Sequence, residues 1–432
     1  MLTFTGSRQS FCDGVSRRNF LKIGAFGASL TLADVLRARG AGGTTQTPAT
    51  SQKAAVMIYL PGGPSHIDTF DPKPAASAEI RGEFGAINTK IPRVQFSEHF
   101  TRLAAMADKL AVVRSIVATD EHSDSYVMTG YPERINAAAP QGQHPSFGAV
   151  VSKVRGSAGN DVPPFVSLRG MAPGTEPGFL GIAHRPFTPD GYGLSNLKLA
   201  NGVTTSRLDD RRALLDRFDD ARRDVDATGA MAGMDAFAQR AFDMVASGAV
   251  RKALDLRTED PRARDRYKGL EPFLTARRLI EAGVGCVTLG YGGWDTHSDN
   301  FNTLRRQLPE LDRGIAALVQ DLHDRGMDED VVTVVWGEFG RTPRVGDSTP
   351  DGRGHWPPVM SALIAGGGLR MGQVIGASDA RGEQPHARRC TPSQVLSTIY
   401  QALGIDPSMT FPNQNGRPMY VLEDRQPVSE LI

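Results

Sequence analysis

Residues 54–68 read Ala54-Ala55-Val56-Met57-Ile58-Tyr59-Leu60-Pro61-Gly62-Gly63-Pro64-Ser65-His66-Ile67-Asp68. An unbroken apolar run of strand length, without polar alternation, suits burial on both faces of a sheet, and the glycine-proline turn ends it. His66 and Asp68 then sit two apart in an extended segment. The same order recurs along the chain. Leu110–Val117, Val284–Leu289 and Val331–Trp336 are apolar, β-branched runs followed by turns carrying His, Asp or Glu, and Val359–Ala365 runs into Gly366-Gly367-Gly368. Helical patterns lie between them at Phe273–Ala282 and Leu304–Arg325, the second with Leu308, Leu311, Ile315, Leu318 and Leu322 on one face. Strands alternating with helices predict an α/β fold with a mostly parallel central sheet covered by helices. In such sheets ligands bind outside the carboxyl ends of the strands, where these turns fall.

The chain has 432 residues, and 49 Lys and Arg against 48 Asp and Glu leave a net charge of +1. That balance builds no field that gathers nucleic acid or an anionic membrane, and no basic run supplies a local one, so no nucleic-acid partner is expected. Ser16-Arg17-Arg18-Asn19-Phe20-Leu21-Lys22, then the weakly apolar Ile23–Leu36 and small residues to 43, resembles a twin-arginine export signal. Gly24, Gly27 and Asp34 interrupt the apolar stretch, which is too short to cross about 30 Å of hydrocarbon. Residues 1–43 therefore read as a removable signal, 44–52 as a linker and 53–432 as the folded domain, with an Arg- and Asp-rich helical insertion at about 205–270. The expected location is the periplasm or the exterior, with no membrane span once the signal is gone. Cys12 lies in the signal, and Cys286 and Cys390 make no disulfide framework.

The polar clusters carry the candidate chemistry. In Trp294-Asp295-Thr296-His297-Ser298-Asp299-Asn300 a carboxylate and an imidazole at a strand's carboxyl end offer the ligands that divalent zinc, manganese or iron accept. In Trp336-Gly337-Glu338-Phe339-Gly340-Arg341, Glu338 is a further oxygen ligand and Arg341 a planar fork for a phosphate or sulfate oxygen pair, or the two form an ion pair. His355, in Gly352-Arg353-Gly354-His355-Trp356-Pro357, precedes a strand and reads as a ligand or a general acid or base. Around Asp68 the structural alternative is a glycine-proline turn capping a helix. In Thr119–Gly130 a strand end runs into a helix N-terminus, where Ser123 or Thr119 is a candidate nucleophile with His122 beside it; capping is again the alternative.

Leu60–Asp68, Gly292-Gly293-Trp294-Asp295-Thr296-His297, Gly337–Pro343 and Gly352–Pro357 occur in order and are similar to the motifs of the DUF1501 family, exported bacterial proteins of undefined activity in the alkaline phosphatase/sulfatase superfamily. The resemblance implies an alkaline phosphatase-like three-layer sandwich, one or two divalent ions (zinc, manganese, calcium or magnesium) at the sheet's carboxyl edge, and transfer of phosphoryl or sulfuryl groups. By motif, Asp295 and His297 match the Asp and His that open one metal site, and His355 its late His. Glu338 stands where the superfamily has an Asp-His or Asp-Asn pair, with Asp68 or His66 completing that second site. Gly62-Gly63 stand where sulfatases carry adjacent aspartates. Cys390-Thr391-Pro392-Ser393 has Gln394 where the sulfatase nucleophile motif needs Arg, and Thr129-Gly130 puts the nucleophile slot near 119–123.

The expectation is an exported metal-dependent hydrolase of phosphate or sulfate esters, small or glycan. Asp295, His297, His355 and Glu338 hold the ions, Asp68 and His66 assist, Arg341 or Arg353 binds the anion, and Ser123, Thr119 or an activated water attacks. Two other readings use the same scaffold: a non-catalytic protein recognising sulfated or phosphorylated glycans, and an assembly factor of an exported complex.

Overall fold

The computed structural model describes residues 53–119, 124–132, 143–156, 162–168, 176–189 and 248–432. The expected signal and linker, His122, Ser123 and the expected insertion up to residue 247 lie outside the described residues; from 248 onward that region carries the short helices Ala249–Leu254 and Pro261–Arg266.

In chain order the elements that build the site are β1 (Ala54–Tyr59), β2 (Leu110–Ile116), α1 (Ser125–Thr129), α2 (Phe147–Arg155), β3 (Phe165–Leu168), α3 (Glu271–Glu281) and β4 (Cys286–Gly290). They continue with α4 (Asn300–Asp324), β5 (Val331–Trp336), β6 (Met360–Gly366), β7 (Gln373–Ile375) and α5 (Pro392–Ala402). The strands form one seven-stranded sheet in the order β7-β2-β6-β5-β1-β4-β3. β1 pairs in parallel with β4 and β5, β3 with β4 and β7 with β2. Only β6, antiparallel to both β2 and β5, runs the other way.

Period-two geometry sends alternate side chains of β1 into two cores. Ala54, Val56 and Ile58 join Phe273, Leu308 and Ile315 from α3 and α4, whereas Ala55, Met57 and Tyr59 join Phe147, Val150 and Tyr400 from α2 and α5. The result is a three-layer α/β sandwich, with helices on both faces of the sheet. On α4 the apolar stripe at Leu304, Leu308, Leu311, Ile315, Leu318 and Leu322 is buried throughout, as its spacing requires. Val284, expected to begin a strand, instead belongs to the turn that closes α3, where its N–H donates to Leu279 O at 3.0 Å. Cys286 and Cys390 are both buried and free. Among the described residues no helix is long and apolar enough to cross a membrane.

Candidate metal centre

The carboxyl ends of β1, β4 and β5 lie side by side, so the turns that follow them meet. After β1 the chain turns through Gly62 at φ 98°, a left-handed conformation that glycine adopts freely. A Cβ there would come within 2.5 Å of Asp295 N and 2.9 Å of Asp295 Cβ, so the glycine also admits the β4 turn. After β4, Asp299 at φ 51° reverses the chain into α4 and leaves His297 over the sheet edge. His355 arrives differently. It precedes β6, and because β6 is antiparallel, the approach to its amino end lies at the carboxyl edge of its neighbours. The short antiparallel pair Gly340–Arg341 with His355–Trp356 then sets Arg341 opposite His355.

Three ligand atoms converge there. His355 Nε2 lies 3.0 Å from Asp295 Oδ1, His297 Nε2 lies 3.1 Å from the same oxygen, and the two imidazole nitrogens are 3.0 Å apart. Two facing ring nitrogens share at most one hydrogen, so the triangle is short of donors and suited to a cation. Its edges fit one ion, since nitrogen and oxygen ligands at about 2.0–2.2 Å from zinc lie about 3–3.5 Å from one another. His297 Nδ1 is 3.0 Å from Ser348 Oγ, and the Phe339 ring lies 4.3 Å from that of His355, which fixes both imidazoles. Burial raises the Asp295 pKa, but hydrogen bonds from Arg341 and His355 outweigh it and hold the carboxyl below its ordinary value. Arg341 is buried and spends its guanidinium inside: Nε donates to Gly63 O at 2.9 Å, Nη1 to Arg353 O at 3.1 Å, and Nη2 to Gly62 O and to Asp295 Oδ1 at 2.5 Å. It braces the glycine turn and aims Asp295. The anion fork expected of Arg341 is thus taken up internally.

Beside the triangle, a cavity of about 200 Å³ is lined by Tyr59, Gly62, Asp124, Asp295, Glu338 and His355, among others. Glu338 Oε1 accepts from Gly62 N–H at 2.7 Å, and Tyr59 Oη lies 2.9 Å from Glu338 Oε2 while also hydrogen-bonding Asp124 Oδ1. One hydroxyl hydrogen serves two carboxyl groups. Burial, with the Asp124 charge adding to it, pushes Glu338 up to about 7. The same burial and both carboxylates raise Tyr59 well above its ordinary value, so the phenol stays protonated.

Asp68 and His66 do not line this cavity. Asp68 is sealed behind it, accepting from Arg353 Nε at 2.8 Å, Arg353 Nη2 at 3.2 Å and Asn300 Nδ2 at 3.3 Å. Arg353 also donates to Thr342 O, Pro343 O and Ile80 O, so it too is engaged by the protein rather than presented to an anion. This pair supports the ligand loops from beneath: Thr296 Oγ1 donates to Asn300 Oδ1 at 2.6 Å, and Arg353 N–H donates to Thr296 O at 3.1 Å. His66 is fully buried, donates from Nε2 to Gly382 O at 2.8 Å and leaves Nδ1 without a partner; burial lowers its pKa to about 4, so the ring is neutral.

Residues 52–432 match the family described as a protein of unknown function, DUF1501. The chain belongs to the DUF1501 family. Solved structures similar to this DUF1501 chain include the PsFucS1 sulfatase from Pseudoalteromonas sp., at 13% identity over 87% of this chain and 73% of that one, with a TM-score of 0.39. The lipoteichoic acid synthase LtaP from Listeria monocytogenes is 11% identical over 83% and 73%, with a TM-score of 0.34. The phosphonate monoester hydrolase SpPMH from Silicibacter pomeroyi is 12% identical over 83% and 74%, with a TM-score of 0.35. No curated protein matches.

Of the residues singled out in sequence, the DUF1501 fold brings Asp295, His297 and His355 together, sets Glu338 and Arg341 beside them and places Thr119 at an exposed position three residues beyond β2. Tyr59 and Asp124 were not singled out. Tyr59 reads as a core aromatic near the end of an apolar run, yet it is the last residue of β1, three positions ahead of Gly62. Asp124 lies within the Thr119–Gly130 cluster, directly ahead of α1.

Proposed function

We propose that this DUF1501 protein is a metal-dependent hydrolase of phosphate or sulfate esters, exported before or after acquiring its ion. The observation that carries the reading is the triangle of Asp295 Oδ1, His297 Nε2 and His355 Nε2, with edges of 3.0–3.1 Å, at the carboxyl edge of the sheet. Asp295, His297 and His355 would hold one divalent ion, whose chemistry there is Lewis-acid polarisation of an ester oxygen. Arg341 keeps Asp295 in place. Glu338, next to Tyr59 and Asp124 in the same cavity, holds a proton up to about pH 7 and is placed to exchange it with a bound group. The cavity of about 200 Å³ admits the tetrahedral head of an ester. The Arg17-Arg18 motif supports twin-arginine export, which N-terminal sequencing of the mature protein tests.

A non-catalytic scaffold that keeps one ion is the second reading, favoured by the withdrawal of Asp68 into its pair with Arg353, which thins any second ion site. Elemental analysis of the purified protein and of its His297→Ala and His355→Ala variants, with hydrolysis of p-nitrophenyl phosphate and p-nitrophenyl sulfate, separates the readings. Bound ion and turnover lost together in both variants support the hydrolase; bound ion with no turnover of either ester supports the scaffold. A folded, metal-free wild type would sink both.

A further inference from the structure

A cavity of about 200 Å³ receives an ester's anionic head and little more, because pockets for whole small ligands run to about 300–1,000 Å³. The alcohol of the ester must be received elsewhere. A second cavity, of about 540 Å³, opens beside the amino end of α2. Helix α1 joins the two: Asp124, just before it, lines the first, and Tyr131, just after it, stacks on His144 in the wall of the second, with ring centroids 3.6 Å apart. Five helical residues rise about 8 Å, so α1 is a short span with one cavity near each of its ends.

The walls of the second cavity are tied together by main-chain groups. Phe179 N–H donates to Gln143 O at 3.0 Å and Ser146 N–H to Glu176 O at 3.1 Å, and the Tyr131 hydroxyl donates to Tyr420 O at 3.0 Å. Tyr420 closes the hairpin Thr410–Pro412 with Pro418–Tyr420, whose tip supplies Gln414 and Asn415 to the lining. The chemistry is mixed. Glu176 and Arg185 form an ion pair at 2.8 Å on the wall, so opposite charges offset each other and no field draws in a second anion. A hydrocarbon guest would offer nothing to the exposed amides of Gln414 and Asn415. Amide, carboxylate and guanidinium together donate and accept, which answers neighbouring hydroxyls in both senses. Phe179, half-buried and edge-on to His144 at 5.9 Å, adds an apolar aromatic wall for the C–H face of a ring.

We propose that this second cavity is a saccharide subsite, which holds a neutral sugar ring of a glycan whose ester group lies at Asp295, His297 and His355. The link to the ester rests on the hydrolase reading, whereas recognition of the sugar does not. Saturation-transfer difference NMR of the whole protein with unsulfated, unphosphorylated disaccharides of galactose, mannose, fucose and N-acetylglucosamine tests it. At least one disaccharide receives saturation from the wild type and from His355→Ala, and its affinity falls about tenfold or more in Phe179→Ala and in Asn415→Ala, while both variants keep their melting temperature and bound ion. No transfer to any of the four, or binding unchanged in Phe179→Ala and Asn415→Ala, overturns the subsite. Failure of the hydrolase reading shows separately, as sugar binding that persists in a protein without ion or ester turnover.

Discussion

Arg353 and Asp68 form an ion pair whose side chains expose nothing, while Arg341, just as deeply buried, holds an Asp295 whose side chain is 52% exposed. Both pairs sit at the same sheet edge and use the same two functional groups. In the first, both carboxylate oxygens accept from Arg353 and one also from Asn300, and the pair ties the turn after β1 to the segment leading into β6. In the second, the buried arginine donates to Asp295 Oδ1, the same oxygen that the two imidazoles approach, and the carboxylate stays half open to solvent. The difference lies in access to solvent: sealed, the pair is a strut, and opened on one side it holds a carboxylate that other groups can reach.

Removing the strut has the largest expected effect. Asp68→Ala leaves the Arg353 charge buried without its partner and costs about 3–5 kcal/mol in urea denaturation; a loss below about 1 kcal/mol would break the comparison. Next comes the carboxyl beside the open pair. Folded protein keeps the Glu338 proton up to about pH 7, whereas the unfolded chain releases it near 4.5, so the native state binds more protons between these values and stability falls as pH rises through them. Glu338→Gln abolishes that fall, and in EDTA-treated protein the variant gains on the wild type by up to about 3 kcal/mol between pH 4.5 and 7.5, with no further change above. A parallel pH dependence in the two proteins would remove Glu338 as its source. Arg341→Lys keeps the charge but not the fork that aims Asp295, and weakens ion affinity about 10–100-fold in chelator competition. The smallest effect sharpens the scale from its exposed end. Arg305 and Glu83 are paired with side chains 46% and 54% exposed, and Glu83→Gln changes stability by less than about 1 kcal/mol, shrinking further at high salt.

Much of the sheet was legible because five of its strands are mostly apolar runs of strand length that end in polar or glycine-rich turns. β3 and β7, of four and three residues, are too short to show a pattern, and both lie at the sheet's edges. Asp295 and His297 announce themselves by adjacency in one turn. His355 reads as a ligand from its glycine-flanked place ahead of a strand and from the motif, yet that place would fall at the opposite edge of a wholly parallel sheet; the reversal of β6 brings it to the others. Asp68 looks like a ligand beside His66, but its partner Arg353 is 285 residues away, and no local spacing encodes that pairing. Tyr59 and Asp124 escape for the same reason, since their importance comes from the shared cavity and from Glu338, 279 residues beyond Tyr59.

The reversed strand also sets an order of events during synthesis. β2 touches only β6 and β7 in the sheet, so it has no partner strand until the ribosome has added about 240 further residues. At about 5–20 residues per second, that is roughly 12–50 s during which an apolar strand waits unpaired, a prime target for holding chaperones and for misassociation between nascent chains. The segment that ends this wait follows directly on His355, so Asp295, His297 and His355 come together at the same stage at which β2 gains its first partner strand.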